Sequence, residues 1–159
     1  MSVLNHKGIR LVIGIGNDGR GDDAMGWLFA DWIAQNGMME VEYRYQLQVE
    51  DAELISLYEE VIFVDASLEE IEQGFYFKKC EPAAAIHFST HKIDPATILW
   101  LAREIYGAAT VGYVLAIRGY NWQLEQGLSG EAKENYSRAV VFFEKEMMSI
   151  KTMEMSFKS

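Results

Sequence analysis

Two short apolar runs constrain the fold of this chain more than any other feature. Residues 10–16 read RLVIGIG and residues 61–66 read VIFVDA, and both runs are rich in β-branched side chains. Strands with almost no polar interruption are covered on both faces, which is typical of a parallel sheet packed between two layers of helices. The sequence therefore predicts an α/β protein.

Three further segments have the composition of strands. Residues 41–48 alternate apolar and polar side chains, which predicts a strand with one wetter face near an edge of the sheet. Residues 74–80 and residues 110–118 are the other two candidates. Together with the two apolar runs, they predict a sheet of about five strands.

Segments with helical spacing separate the predicted strands. Apolar residues from Met25 to Ile33 repeat on one helical face, and Gly37 is placed to end that helix. Asp94 followed by Pro95 predicts the start of another helix, because the first residue can cap it and the second fits its first turn. Apolar spacing then continues up to residue 107, where a glycine is expected to stop the helix.

The remaining segments complete an alternating order. A weaker helix is predicted over residues 51–58, and a long helix is predicted to begin near Ser129. Residues 151–159 have no clear cap or period, so we expect a flexible tail. The order predicts a three-layer α/β/α sandwich with a mostly parallel, doubly wound sheet. Because no linker or repeat divides the chain, residues 1–159 are expected to form a single domain.

Composition and charge exclude several classes of protein. The chain has 14 Lys and Arg against 24 Asp and Glu, and its net charge of -10 would repel a nucleic-acid backbone. Its one cysteine can form neither an internal disulfide nor a cysteine-based zinc cluster. No apolar window approaches the ~18 residues of a membrane span, and the N-terminus is unlike a signal peptide. We therefore expect a soluble cytoplasmic protein that binds neither nucleic acid nor membrane.

Acidic and histidine side chains are predicted to meet at one edge of the sheet. Ligands of open α/β sheets bind beyond the carboxyl ends of the strands, where the strand-to-helix loops converge. Asp22 and Asp23 follow the first strand, and Asp65 ends the third. His91 comes three residues before the helix cap at Asp94. We therefore predict that Asp23, Asp65 and His91 reach a common rim.

The chemistry of that trio suits a metal site. Two carboxylates and an imidazole are good ligands for a divalent ion such as zinc or nickel, and they leave positions open for water or substrate. A bound ion polarises a carbonyl and lowers the pKa of water, which is the chemistry of amide hydrolysis. The spacing leaves a simpler interpretation open. The acid pair would then only stabilise a helix start, Asp65 would bind loop amides, and His91 would be an ordinary loop residue.

The first loop also contains the glycine pattern of a dinucleotide-binding turn, Gly14-x-Gly16-x-x-Gly19. It follows a predicted strand and precedes a predicted helix, as that turn requires. A pyrophosphate in this loop would be repelled by three aspartates at residues 18, 22 and 23. The loop is therefore better suited to a cation, and a dinucleotide-binding enzyme is the alternative.

Residues 13–26, IGIGNDGRGDDAMG, closely resemble the opening motif of the nickel-iron hydrogenase maturation proteases. Three later features occur in the order of that family. These are an Asp-Ala strand end at residues 65–66, a Ser-Thr-His loop at residues 89–91 and a Gly-Leu-Ser segment at residues 127–129. The resemblance extends over residues 10–140 or so, which is most of the chain.

The resemblance implies an aspartic-type or metal-dependent endopeptidase. Its substrate would be the large-subunit precursor of a nickel-iron hydrogenase, from which it would remove a C-terminal extension after nickel insertion. The resemblance also implies that Asp23, Asp65 and His91 are both the catalytic residues and the metal ligands. The metal would be nickel carried by the precursor, and other divalent metals would also fit the site. A non-catalytic relative that only binds the precursor is a further alternative.

The glycine loop has an expected role and one departure from the family. Asn17, with the backbone of Gly16 and Gly21, is predicted to bind substrate by aligning the peptide or stabilising an oxyanion. Ala24 stands where the family usually has glycine. Its methyl group is compatible with helical backbone but would obstruct a loop that needs positive φ.

Overall fold

The protein folds around one five-stranded sheet. The computed structural model describes residues 9–37, 39–84 and 92–158, with the side chains of residues 150–158 left aside. The strands are β1 (Arg10–Ile15), β2 (Glu40–Arg44), β3 (Glu60–Ser67), β4 (Phe75–Cys80) and β5 (Val111–Arg118). The helices are α1 (Met25–Gln35), α2 (Asp51–Ile55), α3 (Pro95–Tyr106) and α4 (Gly130–Lys158), with a 3₁₀ turn at Gly21–Ala24.

The strand order is β2-β1-β3-β5-β4. Strands β2, β1, β3 and β5 are parallel, and β4 pairs antiparallel with β5. This arrangement confirms the predicted mostly parallel sheet, and β2 lies at an edge as its alternating pattern indicated. All four parallel strands therefore point their carboxyl ends at the same edge.

Helices cover both faces of the sheet, which confirms the three-layer sandwich. On one face, Val12 and Ile62 pack with side chains of α1 and α4, including Phe29 and Phe143. The opposite face carries residues such as Phe63, packed with α2 and α3. Alternate residues of the same apolar strands thus enter different cores, and this is why those strands have no polar face.

The predicted helix ends are present. The Asp94 side chain accepts a hydrogen bond of 2.8 Å from the Thr97 amide, so it caps α3, and Pro95 occupies the first turn. Gly107 ends the same helix in the left-handed conformation, with a φ of 64°. Gly37 follows α1 with a φ of 61°. Such backbone conformations favour glycine, so these local signals were sufficient to set the ends.

Three segments differ from the expectation, and the first is α2, which ends at Ile55 rather than at residue 58. Strand β2 stops at Arg44 rather than continuing to residue 48, because its neighbour β1 ends at Ile15, the residue that pairs with Arg44. Helix α4 continues through Lys158, where the sequence pattern had suggested a tail. No glycine or proline occurs after Gly130, so no residue interrupts its backbone hydrogen bonding. Among the described residues, no helix is long and apolar enough to cross a membrane.

Candidate active site

A cleft of about 290 Å³ opens at the carboxyl edge of the sheet. It lies beyond the ends of β1 and β3, between the segment that follows β2 and the start of α3. Its walls include the apolar side chains of Ile15, Leu47, Phe63, Ile93 and Val114. Its polar lining residues include Asp23, Tyr45, Asp65, Ser67, Tyr76 and Lys92. The cleft therefore combines an apolar wall with a small number of charged groups, as ligand sites commonly do.

Asp23 reaches the cleft from the 3₁₀ turn between β1 and α1. Its backbone is held in place because its amide donates to the Arg20 carbonyl and its carbonyl accepts from the Asn17 amide, each at 3.0 Å. Burial raises the pKa of the Asp23 carboxyl, and the positive charges of Lys92 and Arg20 only partly oppose that shift. The carboxylate is thus poorly solvated and lies near two cations.

Asp65 reaches the same cleft from β3, where it stands opposite Ala116 of β5. The pKa of Asp65 is raised to about 7, chiefly by burial and to a smaller extent by the negative charge of Asp23. The Ala66 amide and the Lys92 ammonium act in the opposite direction. The structure therefore brings Asp23 and Asp65 close enough to repel each other, although 42 positions separate them in the sequence.

Asp22 has a different environment from its neighbour and is fully buried. Its carboxylate accepts from the amides of Tyr120, Asn121 and Ser129 at 2.6, 2.8 and 2.8 Å, and from the Ser129 hydroxyl at 2.8 Å. Burial would raise its pKa, but these hydrogen bonds outweigh burial and lower the pKa of Asp22. Asp22 therefore joins the first loop to the segment between β5 and α4.

His91, the third predicted ligand, lies outside the described residues. The residues that follow it, Lys92, Ile93 and Asp94, line the cleft at the start of α3. In the part of the chain that the structure describes, no three side chains of the histidine, cysteine and acidic types are grouped as a metal site. The two carboxylates are together as predicted, and the role of His91 stays a prediction.

The glycine loop is closed by its own hydrogen bonds. The Gly19 amide donates to the Asn17 side chain at 2.9 Å, and the Gly21 amide donates to the Glu125 carbonyl at 2.9 Å. The amides of residues 16, 17, 20, 22 and 23 also donate to backbone carbonyls. These groups are already used, which argues against a phosphate cradle and against an oxyanion site built from them.

The predicted substrate-binding residues are divided between two regions. Gly16 lines the cleft. Gly21 instead packs against the β5–α4 segment, where an added Cβ would approach the Asn121 carbonyl oxygen to 2.6 Å. Asn17 is not among the residues that line the cleft, and its side-chain oxygen closes the loop turn. The glycine pattern is therefore explained largely by packing.

Close contact between β1 and α1 accounts for two more glycines. A Cβ on Gly14 would lie 2.4 Å from the Gly26 carbonyl oxygen, and one on Gly26 would lie 2.2 Å from the Ile15 carbonyl oxygen. Ala24 is compatible with its position, because its φ of -76° and ψ of -13° are helical. The methyl group that replaces the family's usual glycine therefore causes no backbone strain.

Several cleft residues were missed by the sequence analysis. Lys92 is adjacent to the predicted histidine, but a lone lysine in a loop carries no signal of its own. Tyr45 was assigned to a strand, whereas it lies just beyond the end of β2 and lines the cleft. Ser67 and Tyr76 come from β3 and β4, and only the pairing of those strands with β5 brings them to this edge.

Solved structures resemble this chain over most of its length. One is the [NiFe] hydrogenase maturation protease HycI from Thermococcus kodakarensis, with a TM-score of 0.67, 21% identity, and coverage of 88% of this chain and 92% of that one. Another is the hydrogenase maturating endopeptidase HybD from E. coli, with a TM-score of 0.65, 17% identity, and coverage of 85% and 89%. A hydrogenase 2 maturation peptidase from Thaumarchaeota archaeon SCGC_AB-539-E09 has a TM-score of 0.59 and 20% identity, covering 86% of this chain and 96% of that one.

These similarities define the fold. No protein-family model matches the sequence, and no curated protein matches it significantly. The chain has the α/β fold of the nickel-iron hydrogenase maturation proteases, which confirms at the level of structure the resemblance that its opening motif indicated.

Proposed function

We propose that this chain is an endopeptidase that removes the C-terminal extension of a nickel-iron hydrogenase large-subunit precursor after nickel insertion. The observation that carries the proposal is the pairing of Asp23 with Asp65 in a cleft. Burial raises the pKa of both carboxyl groups, and the negative charge of Asp23 raises the pKa of Asp65 as well. Perturbed acids in a cleft are typical of catalytic sites. The fold shared with maturation proteases supports the proposed substrate, a hydrogenase large-subunit precursor.

The two carboxylates are suited to meet a cation that arrives with the substrate. A divalent ion favours the ionised form of both acids and so removes the repulsion between them. Two carboxylates with His91 form an incomplete set of ligands, and nickel held by the precursor would bring the rest. Such an ion polarises a nearby carbonyl and activates water, so cleavage would depend on nickel loading.

The same pair supports an aspartic-type variant of the mechanism. Two neighbouring carboxyl groups can share one proton, so that one acts as a general base while the other donates a hydrogen bond. The value of about 7 for the pKa of Asp65 means that this group is partly protonated at neutral pH. A precursor without nickel separates the two variants, because only the aspartic-type mechanism would cleave it.

The direct test is cleavage of a nickel-loaded large-subunit precursor, followed by intact-mass spectrometry. The wild-type chain should shorten the precursor at one position near its C-terminus, and Asp65→Asn should not. Asp18→Asn is the matched control, because it makes the same chemical change at an exposed position of the first loop. A precursor that stays at full length with the wild-type chain would overturn the proposal.

The alternatives make different predictions. A non-catalytic relative would bind the precursor and leave its mass unchanged. A dinucleotide-binding enzyme would be stabilised by a dinucleotide, and the occupied amides of the glycine loop argue against that result.

A further inference from the structure

An exposed group of aromatic side chains continues the wall of the cleft. It consists of Trp27 on α1, Tyr43 on β2, and Tyr45 just after β2, and we name it the aromatic shelf. Tyr45 belongs both to the shelf and to the cleft lining, and 69% of its surface is exposed. An aromatic ring with that exposure at the mouth of a cleft is not explained by packing within the chain.

The rings of the shelf support one another. The Trp27 and Tyr45 ring centroids are 5.1 Å apart, and Trp27 also contacts Tyr43 edge-on at 5.7 Å. The Trp27 indole donates to the Arg44 carbonyl at 3.0 Å, and the Tyr43 hydroxyl donates to Asp31 at 2.6 Å. Trp27 and Tyr43 are thus anchored by hydrogen bonds, and Tyr45 rests against the fixed ring of Trp27.

The backbone beside Tyr45 is also fixed. The Arg44 carbonyl accepts from the Gly16 amide at 2.9 Å, and the Arg44 side chain binds Asp51 at 2.9 Å. Asp51 in turn accepts from the Gln48 amide at 2.8 Å. Tyr45 therefore lies at the start of a segment held to both β1 and α2. An exposed aromatic side chain on an ordered segment loses little conformational entropy when a partner covers it.

The apolar wall of the cleft indicates what such a partner presents. Leu47 is buried two residues after Tyr45, and Ile15 and Phe63 line the same cleft. Tyr45 lines the same cleft as Asp23 and Asp65, so a polypeptide whose scissile bond lies at the two carboxylates can reach its ring.

We propose that the aromatic shelf, through Tyr45, binds an apolar side chain of the precursor polypeptide beside the bond that is cleaved. The inference rests on the proposed function and adds a determinant of substrate specificity to it. Tyr45 contacts substrate, whereas Trp27 is a positioning residue that holds the Tyr45 ring. Rigid aromatic side chains of this kind are common among residues that dominate binding.

The test compares Tyr45→Ala, Tyr45→Phe and Tyr106→Ala in cleavage of the nickel-loaded precursor. Tyr106 is the matched control, because it is 48% exposed and lies at the far end of α3. Loss of binding that is equal in the ground and transition states raises KM without lowering kcat. We expect Tyr45→Ala to raise KM about tenfold with little change in kcat. Tyr45→Phe keeps the ring and should restore the wild-type KM, and Tyr106→Ala should not change it.

A second measurement separates this inference from the proposed activity. Binding of the precursor to the Asp65→Asn protein is followed with and without the Tyr45→Ala change, so no cleavage is needed. Weaker binding in the double variant supports the aromatic shelf even if the wild-type chain proves unable to cleave. Equal binding, or no binding by either protein, overturns it. The inference is also overturned if Tyr45→Ala and Tyr106→Ala have the same KM, even when both variants cleave the precursor normally.

Discussion

Asp22 and Asp23 are adjacent in the sequence and opposite in their surroundings. Asp22 is fully buried and accepts four hydrogen bonds from the segment between β5 and α4, which lower its pKa although burial alone would raise it. Asp23 faces the cleft near Asp65, and burial raises its pKa. Among the described residues, the cleft pair lacks the set of donors that surrounds Asp22.

The comparison shows that hydrogen-bond donors, rather than burial, separate the two roles. A carboxylate that is fully hydrogen-bonded stabilises the fold in its charged form. A carboxylate that is desolvated without such partners is destabilised in its charged form, and a cation or a proton can relieve that cost. The first arrangement is typical of a structural carboxylate, and the second is typical of reactive sites.

The largest difference is expected in catalysis. Asp23→Asn should lower the rate of precursor cleavage by about a thousandfold or more, because one of the two paired carboxylates loses its charge. Quenched time points analysed by mass spectrometry measure the rate. Asp18→Asn should retain the wild-type rate, since that residue is exposed in the same loop. Normal cleavage by Asp23→Asn would show that Asp23 takes no part in the reaction.

Folding stability should depend more on Asp22 than on Asp23. Asp22→Ala should reduce the free energy of unfolding by about 3 kcal/mol, because donors of Tyr120, Asn121 and Ser129 lose their acceptor. Asp23→Ala should cost far less, since it removes a poorly solvated charge. Urea denaturation of the two variants measures the difference. Equal losses would contradict the assignment of Asp22 to structure.

The dependence of folding stability on pH should show that the pKa of Asp65 is raised in the folded protein. The pKa of Asp65 in the folded protein is about 7, against an ordinary value of 3.8 for an aspartate. A raised pKa means that the folded state holds its proton more tightly. The contribution of Asp65 is therefore present below about pH 4 and is lost as pH rises towards 7. In metal-free protein, Asp65→Asn should become the more stable form across this range, by about 4 kcal/mol at pH 8.

Chemical denaturation at a series of pH values, with a chelator present, measures this effect. Asp18→Asn serves as the control for the change from acid to amide. A constant difference between Asp65→Asn and wild type from pH 4 to pH 8 would show that the folded and unfolded pKa values of Asp65 are alike.

The smallest effect is expected at Lys92. Its charge lowers the pKa of both Asp23 and Asp65, so it partly neutralises the pair before any cation arrives. Lys92→Gln should tighten nickel binding to the free protein by about fivefold, the size of a screened interaction between exposed charges. Isothermal titration calorimetry measures the change. Lys133→Gln, at an exposed position of α4, should leave the affinity unchanged.

Much of the fold could be predicted because its signals are local. The apolar strands, the cap at Asp94 and the glycine at residue 107 each depend on neighbouring residues only. The convergence of Asp23 and Asp65 also followed from a general rule, since parallel strands direct their carboxyl ends to one edge. Helix α4 was less predictable near its end, because an absence of breakers is a weaker signal than a cap.

Other parts of the site depended on contacts between distant segments. The sequence analysis placed Asp23 at the rim, and nothing near the acid pair marked Asp22 as an anchor. Its partner Ser129 is 107 positions away. Likewise, β2 ends at Arg44 because its partner β1 ends at Ile15, opposite Arg44. That ending leaves Tyr45 at the cleft instead of in a strand.

The sequence by itself therefore determined the alternation of strands and helices, the parallel sheet and the edge at which its acids meet. Periodicity, capping and strand direction act over a few residues, so they can be recognised without the fold. Only the tertiary structure decided which acid is hydrogen-bonded, which is desolvated and which aromatic ring stays exposed. These properties depend on solvation and on donors from distant segments, and both arise only when the chain has packed.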